Sequence, residues 1–208
     1  MKKLLISILF FCILLIMCSC DTSIHTNDSN FNDLDSSQAT ENSNSSNIDA
    51  TNIWSVGFSV DEFNQETDEW YVANDDLFLG EFSNSATTNS SLTVRMVAFG
   101  EGFTMEDGRE VPVLGFMLYE YGSHQVKNSS GYIKSYNVHL RDDHGSEYDG
   151  VANVKEYSDM LILNEKTVYK MLELMESSEE VYVRINEKKG MSTYLFSIKI
   201  GNFFDCYK

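Results

Sequence analysis

Three observations predict a mainly β fold, a β-sandwich or open barrel with one late α-helix. Large apolar residues recur at a period of two in several short runs, as in Trp54, Val56, Phe58 and Val60. Turn-forming clusters punctuate those runs, among them Asn74-Asp75-Asp76, Asp107-Gly108 and Glu187-Lys188-Lys189-Gly190. Only the stretch after Asn164 holds a sustained helical period, through Val168, Met171, Leu172 and Met175.

The chain opens with Lys2 and Lys3, then an apolar run from Leu4 to Met17. That run suits the hydrophobic part of a secretion signal, since a spanning helix wants about 20 apolar residues. It ends in Met17-Cys18-Ser19-Cys20, which resembles a bacterial lipobox. The resemblance implies diacylglyceryl transfer to the Cys20 thiol, cleavage between Ser19 and Cys20, and acylation of the new amino terminus. Residues 1–19 are accordingly expected to be a lipoprotein signal peptide, with Cys18 as the rival site. The expected location is the bacterial cell envelope, held to a membrane by lipid on Cys20, because two or more acyl chains anchor stably.

Residues 20–52 are rich in Ser, Asn, Asp and Thr and poor in apolar side chains. Such a composition cannot recover the entropy of ordering, so a disordered tether is expected, with a coil span of roughly 30 Å. Residues 53–208 are expected to form a single mostly-β domain, large enough to bury a core. Within it, strands are read at Ile53–Val60, with Trp54, Val56, Phe58 and Val60 facing the core, and at Trp70-Tyr71-Val72 and Leu77-Phe78-Leu79. GEFSNSATTNSS, from Gly80, is read as a loop, because Ser, Asn and Thr favour side-chain turns over ladders. Further strands are read at Leu92–Phe99, Val111–Glu120 and Tyr132–Leu140, the last with Ile133, Tyr136 and Val138, and as one or two short strands within Val151–Leu163. Asn164 is the expected helix N-cap, with Glu165 favourable in the first turn. Val181–Ile185 and Tyr194–Ile198 flank a turn as a hairpin, and GNFFDCY closes the chain as a short helix or coil.

Charge excludes some functions. The chain has a formal net charge of −17. No Lys or Arg falls between Lys3 and Arg95, while Asp21 to Glu81 supplies fourteen carboxylates. Phosphate backbones are bound by releasing counterions to Lys and Arg, so nucleic acid is not an expected partner. Cys206 is the one cysteine outside the leader and the lipidation site, so no internal disulfide is expected of residues 53–208.

No catalytic or cofactor constellation stands out. His139, Asp142, Asp143 and His144 offer metal-ligand chemistry, but strand alternation sends His139 and Asp142 to opposite faces. Asp75, Asp76 and Glu81 lack the alternating spacing of a calcium loop. Asp61 with Glu62, and Glu66 with Asp68 and Glu69, have the chemistry of a glycosidase pair without any sign of convergence. Ser83, Ser85, Ser90 and Ser91 lack a nucleophile elbow. Trp54, Trp70, Tyr119 and Tyr121 could stack on sugars, though strand positions assign most of them to the core.

Trp54 to Val56, Glu66 to Asp68, Leu92 to Arg95, Val138 to Asp143 and Phe196 to Gly201 together resemble bacterial envelope domains related to invasion-associated protein B and the type VI secretion accessory VasI. Those domains carry a cysteine where this chain has Met96, and a second near the carboxyl end, where it has Cys206. GEFSNSATTNSSL is similar to a segment of bacterial lipoproteins. The resulting expectation is a non-enzymatic envelope lipoprotein with no cofactor or metal, binding a protein partner. A polysaccharide-binding module is the alternative, and a hydrolase with an unrecognised carboxylate site the third.

Overall fold

The computed structural model describes residues 52–104, 108 and 110–207. The leader, Cys20 and the tether up to residue 51 lie outside the described residues. Eleven strands form one sheet: β1 (Trp54–Val60), β2 (Glu66–Asn74), β3 (Phe78–Ser83), β4 (Ser90–Thr104), β5 (Glu110–Glu120), β6 (His124–Gln125), β7 (Lys134–Asp142), β8 (Glu147–Val154), β9 (Leu161–Leu163), β10 (Glu180–Glu187) and β11 (Thr193–Lys199). Among the described residues two helices accompany them, α1 (Glu165–Ser177) and α2 (Phe203–Cys206). Contacts divide the chain into two units: Asp49–Ser59 with Thr67–Lys208, and a second whose described part is Val60–Glu66. In the second, Asp61 Oδ1 accepts the backbone N–H groups of Phe63 and Gln65 at 2.8 and 2.9 Å, and Asn64 takes a left-handed φ of 60°.

The fold is mainly β with one late helix of any length, as the periodicities predicted, and its sheet curls into an eight-stranded antiparallel barrel. The ring runs β3-β4-β5-β9-β8-β7-β10-β11 and returns to β3. Pairing of β4 with β5 from Leu92↔Glu120 to Thr104↔Glu110 completes it. Inward positions follow the alternation of each strand: Phe78 and Phe82; Leu92, Val94, Met96 and Ala98; Leu114, Phe116 and Leu118; Val138 and Leu140; Val181, Val183 and Ile185. These side chains, with Met171 and Met175 of α1, fill the interior, as small barrels of this strand number require.

Close approach of two strands explains one inward glycine. A Cβ on Gly80 would lie 2.4 Å from the backbone oxygen of Leu195, so only glycine lets β3 and β11 meet there. The stretch read as a loop from Gly80 therefore begins as strand: Gly80 to Ser83 pairs with Phe196 to Thr193, and the loop is confined to residues 84–89. Sequence propensity for turns lost to the ladder hydrogen bonds and to burial of Phe82.

The helix has the predicted start. Asn164 Oδ1 accepts the backbone N–H of Thr167 at 2.9 Å, and Val168, Met171, Leu172, Leu174 and Met175 are buried. α1 joins β9 to β10 and packs on β5, β7, β8 and β10, closing that end of the barrel. No helix of the described residues is long and apolar enough to cross a membrane.

Three asparagine side chains act as pieces of backbone. β2 and β3 share one edge of β4, β3 pairing at Ser90–Val94 and β2 at Val97–Phe99. The gap is bridged by the buried Asn74, whose Oδ1 accepts Met96 N–H at 2.7 Å and whose Nδ2 donates to Val94 and Asp76 carbonyls at 3.2 and 2.7 Å. Asn128, equally buried, donates to the carbonyls of Tyr132, Val154 and Lys155. Asn202 accepts from Ile53 and Trp54 N–H at 2.8 and 2.9 Å and donates to Trp54 O at 2.9 Å.

One expected core assignment, that of β1, is corrected. In β1 only Trp54 is buried, edge-on to Phe203 at 4.9 Å, while Val56 and Phe58 are 45% and 47% exposed. The alternation is real, but β1 lies outside the ring, at the end of the strand order, and no described residue buries that face. The strand read at Tyr132–Leu140 begins at Lys134, and Ile133 just ahead of it is 57% exposed.

Candidate functional site

The sequence-predicted chemistry does not assemble. His139 points outward on β7, with Nδ1 2.8 Å from Asp149 Oδ1, while Asp142 is buried on the inward side of the same strand. Burial pushes the Asp142 carboxyl up, but hydrogen bonds from Ser146 and His144 outweigh it and hold the group below the usual carboxylate range. Its Oδ1 accepts Ser146 N–H at 2.6 Å, so it is a turn-forming residue of the β7–β8 connection. His144 lies 3.6 Å from Asp143, at the surface. Among the described residues no three of His, Cys, Asp and Glu come close enough to hold a metal ion.

Other candidates scatter as well. Asp75 accepts the Ser55 hydroxyl, and Glu81 stands on the outer wall of β3. Asp61 and Glu62 belong to the turn within Val60–Glu66; Asp68 and Glu69 are exposed on β2. Burial pushes the Cys206 thiol up, with Asp205 and Asp75 adding to it, which keeps it protonated. The thiol donates to Trp54 O at 3.3 Å, a structural contact. Trp54 is core, Trp70 is half-buried 5.9 Å from Tyr207, and Tyr121 is exposed.

What the fold does assemble is one loop rim. The connections 84–89, 121–123, 126–133, 155–160 and 188–192 all emerge at the end of the barrel opposite α1, because the strands they join alternate in direction. Tyr121, Tyr132, Ile133, Tyr157 and Met191 are exposed there. Lys127, Lys155, Lys188 and Lys189 stand among them with no ion pair among the described residues, and Lys134 lies 3.8 Å from Glu187. The carboxylates opposing them are few: Glu156, Asp159, Glu187, and Glu120, which accepts the Tyr194 hydroxyl at 3.1 Å. The α1 end and its connections instead carry Asp75, Asp76, Asp143, Glu147, Glu165, Glu173, Glu176 and Glu179. Among the described residues, five of the eight lysines thus stand at or beside this end, while Lys166 and Lys170 stand on α1.

The rim is built, not merely adjacent. Asn128 N–H donates to Ser158 O at 2.7 Å, and its side chain ties the 126–133 loop to the end of β8. Tyr157 sits at a left-handed φ of 55°, its hydroxyl against Gly131. Tyr121, also left-handed at 53°, lies edge-on to Phe82 at 4.9 Å. Lys188 N–H donates to Ser135 O at 3.1 Å. Two bulky residues held in a conformation that L side chains rarely adopt mark a shaped surface. Beside the rim, an open groove of about 280 Å³ runs along the outer wall between Glu81, Asn89, Arg184, Asn186 and Thr193. Its walls are mostly amide, hydroxyl and charged groups, with Leu195 as the one apolar side chain, unlike the apolar lining of a deep small-molecule site.

Sequence reading missed this rim. Its one available signal was the placement of lysines next to tyrosine and isoleucine in separate loops, which becomes a pattern only when the ring closes. No family model, no curated protein and no solved structure matches the chain.

Proposed function

We propose that this chain is a non-enzymatic lipoprotein of the bacterial envelope, anchored through Cys20, whose barrel presents the loop rim to a protein partner. The observation that carries the reading is the rim itself: exposed Tyr132, Ile133 and Tyr157 among lysines with no ion pair among the described residues, on a chain of net charge −17. Aromatic side chains give large contact area at low entropic cost, and the lysines favour an acidic partner surface and steer its approach. The resemblance to envelope domains of the invasion-associated protein B type points the same way. The exposed mixture of charged and apolar groups suits binding, and the scattered carboxylates supply no acid–base pair.

The test is site-specific photo-crosslinking in cells with the full chain. A photoreactive phenylalanine replacing Tyr157 or Ile133 should give a discrete adduct, absent when it replaces Glu173 on α1. Lys155→Glu with Lys188→Glu should abolish that adduct, and equal labelling at Glu173 would refute the assignment. The anchor is tested separately: Cys20→Ala should leave unprocessed precursor, and normal processing would count against lipidation. A second reading, a polysaccharide-binding module, is favoured by the polar groove at Arg184 and Asn186. Isothermal titration with envelope glycans distinguishes the two, since only that reading expects heat that Arg184→Ala removes.

A further inference from the structure

We infer that β1 pairs with β1 of a second copy, in antiparallel register about a two-fold axis through Gly57. β1 ends the strand order, and no described strand lies on its outer edge. The direction of its backbone groups follows from the hydrogen bonds around it. Ile53 O accepts Asp75 N–H and Ser59 O accepts the Thr67 hydroxyl, so the odd-numbered residues face β2. The even-numbered ones face away, and at Trp54 both outward groups are already taken by the Asn202 side chain. Among the described residues, the N–H and C=O of Val56 and of Phe58, in the middle of the strand, have no partner.

Those four groups match themselves. Ser55-Val56-Gly57-Phe58-Ser59 is symmetric in character about its centre. With the two-fold on Gly57, Val56 meets Phe58 of the second copy in a pair that exchanges both backbone hydrogen bonds, and Phe58 meets its Val56 likewise. All four open groups are then satisfied, serine meets serine, and a β-branched residue lies across from an aromatic one, a favourable cross-strand combination. Gly57 meets Gly57 at the closely spaced position. Its other face is filled by Tyr71, whose ring would lie 2.4 Å from an added Cβ.

The strand also lacks the devices that keep edges apart. It carries no Lys, Glu, Asp or Pro, and leaves Val56 and Phe58 nearly half exposed. Because the strand itself is uncharged, a copy of it meets no repulsion within the ladder, whereas a charged partner would find nothing complementary there. Five residues per strand bury less than the roughly 1,200 Å² of a stable free dimer, so the pairing is weak in solution and is strengthened when copies share a surface.

Oxidative trapping accumulates even a weak dimer and reads its register, and it needs neither the lipid nor the rim. The full chain is purified in detergent as Val56→Cys and Phe58→Cys variants, each checked for an unchanged urea midpoint. The mixture should form disulfide dimers several-fold faster than either variant alone, because residue 56 lies opposite residue 58, at a separation suited to a disulfide, and diagonal to its own copy. Phe58→Lys in a Val56→Cys chain, mixed with Phe58→Cys, should suppress the product. Equal rates in the mixture and in the single variants would mean random encounter and overturn the inference. Absence of any dimer would overturn it too.

Discussion

Replacing Asn74 is the sharpest test of how the barrel edge is held. Its side chain bridges the gap on β4 between the reach of β3 and the reach of β2, making three hydrogen bonds to main-chain groups while 1% exposed. Asn74→Ala leaves the buried Met96 N–H and Val94 C=O without partners, and each orphaned buried group costs about 1–3 kcal/mol, or about 2–6 kcal/mol together. That is a large part of the stability of a domain this size. Urea unfolding at pH 7, followed by circular dichroism, measures it; a loss below about 1 kcal/mol would refute the bridging account. Asn74→Asp sharpens the test through pH. The carboxylate still accepts from Met96, but it also faces the carbonyl oxygens of Val94 and Asp76, so burial and repulsion raise its folded pKa above the unfolded value. Stability should then be retained below the unfolded carboxylate pKa and lost as pH rises through the folded one, opposite to the usual acid sensitivity of a paired carboxylate. A variant that loses stability on acidification would show that the side chain had escaped to solvent.

Further outcomes follow from the interior. Burial, with Glu187 and Glu120 nearby, pushes the Tyr136 hydroxyl from 10.0 up to about 12, and burial together with Glu120 raises Tyr194 further. An acid with a raised folded pKa contributes stability below its unfolded pKa and loses it above, so stability should fall from about pH 10 upwards, and Tyr136→Phe with Tyr194→Phe should flatten that fall in denaturant titrations. Gly80→Ala drives a Cβ into the Leu195 backbone, which cannot move as a side chain can, and should cost about 1–3 kcal/mol by thermal or urea unfolding. Asn164→Ala removes the α1 cap and should cost about 1 kcal/mol, with Asn164→Ser recovering most of it.

The local periods were legible because they are local. A period of two in Val181–Ile185 and Tyr194–Ile198, and a period near four from Val168 to Met175, follow from where successive side chains must point on a strand or a helix. The cap at Asn164 and the β10–β11 hairpin were readable for the same reason, since each is a matter of a few adjoining residues. The acidic balance needs only counting.

Whether an apolar face is covered is not a local property. Val56 and Phe58 alternate as faithfully as Val181 and Val183, yet only the latter are enclosed, because β10 sits inside the ring and β1 beyond it. Asn74 reads in sequence as a turn residue; its role as a substitute for backbone exists only because two strands share one edge of β4. The rim likewise gathers Lys127, Tyr157 and Lys188 from loops far apart in the chain, and ring closure through β4 and β5 brings them to one end. Sequence by itself determined most of the elements and the acidic balance of the chain. Only the tertiary structure decided which apolar residues meet water and which charges stand together, because burial and proximity depend on strand order, and strand order is set by pairing across long stretches of chain.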